Sequence, residues 1–88
     1  MGRSKEIMAD KKIEVGLANG GKMVVSEYGW GKEVQTFNAA GEILIWSRES
    51  DEEITTYYYN SKLRRPGYAY KMQRLNKSTG RMTTTRLG

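Results

Sequence analysis

Residues 55–74, TTYYYNSKLRRPGYAYKMQR, hold five tyrosines and five lysine or arginine side chains and no carboxylate. A tyrosine ring can stack on a flat partner. Lysine and arginine supply cations, and arginine adds a planar fork of donors that fits phosphate. Single-stranded nucleic acid is bound by this combination: cations track the phosphates and rings stack on bases at about 1–3 kcal/mol per base. The trend continues to the end of the sequence. Residues 54–88 carry eight bases (Lys62, Arg64, Arg65, Lys71, Arg74, Lys77, Arg81 and Arg86) and no acid, whereas residues 1–53 carry all ten acids against seven bases. The net charge of +5 is therefore +8 in the C-terminal part against −3 in the rest. A basic end of this kind is expected to seek a polyanion, with solubility alone as the plainer use of the charge.

Catalytic chemistry has little to work with. The 88 residues contain no histidine and no cysteine, which removes the commonest general base, the commonest zinc ligand, thiolate metal sites and any disulfide framework. No metal or cofactor is expected, and the protein reads as a non-enzyme. The stretch GWGK (Gly29–Lys32) lacks the G-x-x-x-x-G-K-[ST] spacing of a phosphate loop and reads as a turn. Its Trp30 is a candidate partner contact or a hairpin lid. The carboxylates of ESDEE (Glu49–Glu53) lack the spacing and internal glycine of a calcium loop and read as a solvated connection.

The elements that must position these residues are short strands. IEVGLA alternates Ile13, Val15 and Leu17 with Glu14, Gly16 and Ala18, the period of a half-buried strand. NGG then marks a turn, KMVVSEY a second strand, EVQTF a third, NAAG a turn, and EILIWS a fourth that is apolar on both faces and so belongs at the centre. ITTYYYN, YAYKMQRL and RMTTTRL complete the set, interrupted by SKLRRPG and NKSTG. The pattern predicts an all-β fold: a small antiparallel meander of about six to seven short strands, closed as an SH3-like or OB-like barrel or folded as a small sandwich. Residues 1–12 read as a charged N-terminal arm, disordered or briefly helical, and residues 13–88 as one small β domain.

Alternation assigns the faces. If Ile54 faces the core, Thr56 and Tyr58 share its face, while Thr55, Tyr57 and Tyr59 face out. In the sixth strand Lys71 and Gln73 are expected outside, and Tyr68, Tyr70 and Met72 inside. The expected nucleic-acid surface is then Tyr57, Tyr59, Lys62, Arg64, Arg65, Lys71, Arg74, Arg81 and Arg86. Tyrosines also occur in strands because they pack well on a pleated surface, so Tyr57 and Tyr59 have a structural reading too.

The N-terminus MGRSKEIMAD has no apolar signal region, and no run approaches the roughly 20 apolar residues of a membrane span, so a cytoplasmic protein without a membrane partner is expected. The sequence thus points to a nucleic-acid-binding β-module, with single strands favoured over duplex. The alternative is a small protein-binding or inhibitory module, of the sort mobile elements and phages encode, acting on a larger partner such as a nucleic-acid enzyme.

Overall fold

A computed structural model describes residues 10–59 and 69–87. The described residues form seven strands: β1 (Lys11–Gly16), β2 (Lys22–Tyr28), β3 (Gly31–Phe37), β4 (Ile43–Ser50), β5 (Glu53–Tyr59), β6 (Ala69–Asn76) and β7 (Met82–Arg86). They form a single antiparallel sheet in the order β1-β2-β3-β4-β5-β6-β7, and the described residues contain no helix. The all-β meander read from the sequence is therefore present, with the doubly apolar fourth strand at its centre. Lys11 and Lys12, assigned above to the arm, open β1, and residues 1–9 lie outside the described region. No helix of the described residues is long and apolar enough to cross a membrane.

Local chemistry sets the turns. In three of them an asparagine side chain folds back on its own backbone, as short polar side chains do in Asx-turns. Asn19 Oδ1 accepts from the Gly21 N–H at 2.9 Å, Asn38 Oδ1 from the Ala40 and Glu42 N–H groups at 3.0 and 2.9 Å, and Asn76 Oδ1 from the Ser78 N–H at 2.9 Å. The β2–β3 hairpin is tighter. It turns on Gly29 and Trp30 and re-enters the sheet at Gly31, whose φ is 152° and where a Cβ would overlap the Glu49 carbonyl oxygen on β4. Glycine alone suits that backbone.

Cross-strand register divides the side chains into two faces. The inner face carries two rows across the sheet: Glu14, Val24, Gln35, Trp46, Tyr57, Met72 and Thr85, and beside it Lys12, Ser26, Glu33, Arg48, Thr55, Arg74 and Thr83. The outer face carries Ile13, Val25, Val34, Ser47, Thr56, Gln73 and Thr84 in one row, and Val15, Met23, Thr36, Ile45, Tyr58, Lys71 and Arg86 in the next. The buried side chains, Val24, Ser26 and Thr55, all lie on the inner face. Of the described strands only consecutive ones touch, and β1 and β7 form the two edges. Among the described residues, then, no pairing closes the sheet into the expected barrel and no second layer covers it. Both faces stay half open, which is why so few side chains are buried.

That openness corrects the face assignment made from the sequence. Each strand alternates as expected, so Tyr57 sits with Thr55 and Lys71 with Gln73. Between the strands, however, Tyr57 pairs with Met72 and Tyr58 with Lys71. Tyr57 and Lys71 therefore lie on opposite faces. The assignment took each strand to have one core face and one polar face, whereas this sheet has two mixed faces. The register also shifts at Tyr58/Tyr59, where Tyr59 pairs with Ala69 and Tyr70 is the extra residue of a bulge.

Candidate nucleic-acid interface

Thr55 lies at the bottom of an open cleft on the inner face, its short side chain buried beneath its neighbours. Arg48 on β4 and Arg74 on β6 are its cross-strand partners on either side. Glu53 and Tyr57 stand two residues before and after it on the same face of β5, and Trp30 reaches the cleft from the β2–β3 turn. With Ser50, these residues line about 290 Å³, the small end of the range for ligand clefts.

A ladder of rings runs along one side. Tyr28 stacks on Trp30 with centroids 5.0 Å apart and planes 9° from parallel. The Arg48 guanidinium lies 5.0 Å from the Trp30 ring centroid and 5.9 Å from that of Trp46, and Trp46 meets Tyr57 at 5.6 Å. Arg48 Nε is also 3.1 Å from Glu33 Oε2, its cross-strand partner. Arg48 is thus held by two indoles and a carboxylate at once, and it positions the wall of the cleft. The Trp46 indole N–H is buried with no hydrogen-bond partner among the described residues. At the other end, Arg74 Nε is 3.7 Å from Glu53 Oε1, too long for a hydrogen bond, and both side chains are about half exposed. The Thr55 hydroxyl donates to Glu53 Oε2 at 3.4 Å. Tyr59 follows Tyr57 along the strand, and its hydroxyl pKa is raised, first by burial and then by the neighbouring Tyr57.

The outer face of β5–β7 carries a different cluster. Lys71 Nζ lies 4.5 Å from the Tyr58 ring centroid. The Tyr58 hydroxyl donates to Gln73 Oε1 at 2.9 Å, and Gln73 Nε2 donates to Thr84 Oγ1 at 3.4 Å. Lys71 is directly opposite Arg86, and no ion pair among the described residues involves either of them. Further along, Glu49 is bound by Lys77 at 2.7 Å and approached by Lys32 at 3.9 Å, and the Lys77 hydrogen bond lowers its pKa.

The structure therefore brings Tyr57, Arg74 and Trp30 into one cleft with Tyr59 beside it, and places Lys71 and Arg86 together on the reverse side. Arg81 lies in the β6–β7 connection, where its N–H donates to Thr79 Oγ1. Lys62, Arg64 and Arg65 lie outside the described residues. Sequence reasoning missed Arg48 because it ended the fourth strand at Ser47, whereas β4 runs on to Ser50, and it passed over Trp46 as one more apolar residue of a central strand. The spacing Trp46, Arg48, Ser50 was the available signal, since alternate residues share a face. Comparison with protein-family models, with curated proteins and with solved structures finds no match.

Proposed function

We propose that this chain is a non-catalytic, cytoplasmic nucleic-acid-binding β-module that favours single strands and uses both faces of its C-terminal strands. One observation carries the reading: Lys71 and Arg86 stand directly opposite each other with no carboxylate paired to them among the described residues. Like charges in that position destabilise a sheet. A phosphate chain offsets the repulsion, because it supplies the missing anions and releases its counterions on binding. The open inner face supports a preference for single strands, since a duplex keeps its base faces stacked and out of reach of Tyr57 and Tyr59. Electrophoretic titration against single-stranded DNA, duplex DNA and RNA tests the reading, and Lys71→Gln with Arg86→Gln should weaken every complex. An absence of retardation at low salt with all three would overturn it.

A second reading, a small protein-binding or inhibitory module, is supported by the opposite edge. Ile13 and Val15 on β1 are each 42% exposed and continue on the outer face into Val25, Val34, Met23 and Ile45. Apolar strips of this kind mark contact surfaces. The two readings separate by variant: Ile13→Glu should leave nucleic-acid affinity unchanged and abolish capture of a protein partner.

A further inference from the structure

The cleft over Thr55 contains more than stacking and phosphate binding require. Glu53 stands in it, and a carboxylate repels a phosphate chain. It stands beside Arg74, at 3.7 Å, without forming a hydrogen bond at that distance, and both groups are about half exposed. The cleft thus offers two acceptor oxygens next to a fork of donors, with Tyr57 at one end and Trp30, 37% exposed, on the rim. Its volume of about 290 Å³ is ample for a single planar ring system.

We propose that this cleft reads one base of the bound strand and that the base is guanine. The inference rests on the nucleic-acid reading above and adds a base preference to it. The chemistry selects among the four bases by counting groups. A carboxylate is best satisfied by two adjacent donors, and guanine presents two on one edge, N1–H and the N2 amino group. Its neighbouring edge presents O6 and N7, the acceptor pair that arginine engages with two hydrogen bonds. Cytosine and adenine offer one exocyclic amino group to Glu53, and thymine offers one ring N–H. Glu53 takes N1–H and N2–H, Arg74 donates to O6 and N7, and the ring lies against Tyr57. Thr55 leaves the space open because its side chain is short and its hydroxyl is turned to Glu53 Oε2. The same contact helps to hold the carboxylate in place. Arg48 is already held by Trp30, Trp46 and Glu33, so it serves as the wall of the cleft rather than as a base contact.

The test is fluorescence anisotropy with end-labelled thymidine oligomers that carry one central guanine, adenine or cytosine, or none, at low salt. A two-pronged base contact discriminates by roughly fivefold to 150-fold in affinity, so the guanine oligomer should bind at least about fivefold tighter than the others. Glu53→Gln, with its fold checked by circular dichroism, decides the role of the carboxylate. If Glu53 reads guanine, the variant loses affinity for the guanine oligomer while the others bind as well as before or better. If Glu53 merely repels phosphate, the variant tightens all four oligomers alike, and the proposal is overturned. Equal affinity of the native protein for all four overturns the base preference and leaves the nucleic-acid reading standing. If no oligomer binds, that reading has failed, and quenching of tryptophan fluorescence by guanosine monophosphate against adenosine monophosphate decides the cleft separately. Selective quenching by the guanine nucleotide sustains the pocket, and quenching by neither overturns it.

Discussion

Removing one charge from the outer face should move stability and binding in opposite directions. Arg86 faces Lys71 across the β6–β7 pair, and no carboxylate pairs with either among the described residues. Changing Lys71 is the less clean perturbation, because its ammonium also lies over the Tyr58 ring, a contact worth about 0.5–1 kcal/mol at an exposed site. That loss would mask the relief of repulsion. Arg86→Gln keeps the Lys71–Tyr58 contact and removes only the opposing charge. Cross-strand pairs at such positions are worth roughly 0.2–1 kcal/mol, so the variant should be more stable by an amount in that range. In a domain of this size the gain appears as a rise in Tm of about 1–8 °C. Binding should weaken in the same variant, and the double change with Lys71→Gln gives the larger signal. If each cation sits on one phosphate, the slope of log K against log salt on single strands becomes shallower by about 1.4, at roughly 0.7 per contact. Between 50 and 200 mM salt the native protein should then lose about sevenfold more affinity than the double variant. Thermal melts followed by circular dichroism and anisotropy titrations at four salt concentrations supply both measurements. A less stable Arg86→Gln protein, with an unaltered salt slope in the double variant, would show that the pair belongs to the fold and not to a phosphate site.

The other predictions concern the inner face, the hairpin and the acid range. Tyr57→Ala with Tyr59→Ala should weaken single-strand binding by roughly 2–6 kcal/mol if each ring stacks on a base, and unchanged affinity in a folded double variant removes stacking from the account. Gly31→Ala should cost about 1–3 kcal/mol in urea denaturation, because its φ of 152° and the Glu49 carbonyl on β4 leave no place for a Cβ. Glu49 has its pKa lowered by the Lys77 hydrogen bond, so the pair stabilises the fold above the ordinary carboxylate range and ceases to do so as pH falls through the lowered value. Lys77→Met should therefore flatten the acid side of the stability-against-pH curve, and an identical curve would show that the pair contributes nothing measurable.

Much of the fold was legible because it depends on single residues acting locally. Asn19, Asn38 and Asn76 each stand at the start of a turn that their own side chains organise, and the strand read as KMVVSEY between two turn signals coincides with β2. What the sequence could not supply is the phase between strands. Tyr57 and Lys71 each sit on the side that alternation within their own strand requires, yet they face opposite ways, because the β5–β6 register sets Tyr57 against Met72 and Tyr58 against Lys71. A register shift of one residue keeps the alternation but exchanges the faces, so pattern alone fixes register only when one face is plainly apolar. Here neither face is. Ile54 and Tyr58 share the outer face with Lys71 and Gln73, while Trp46 and Tyr57 share the inner face with Arg48 and Arg74.

That division constrains any ligand that meets both sets of residues. Arg74 lies on the inner face and Lys71 on the outer, three positions apart on β6, and among the described residues β7 beside them forms the sheet edge. A chain running from the Thr55 cleft to the Lys71–Arg86 pair by the shortest path must therefore cross that edge. Thr83, Thr84 and Thr85 form the middle of β7 and place short hydroxyl side chains on both faces. They leave room for a sugar–phosphate backbone and offer it hydrogen bonds, which a bulky apolar edge would not. On the proposed nucleic-acid reading, the threonine run would complete a route from ring to cation around the edge of one sheet, a path that a flexible single strand follows more readily than a stiff duplex.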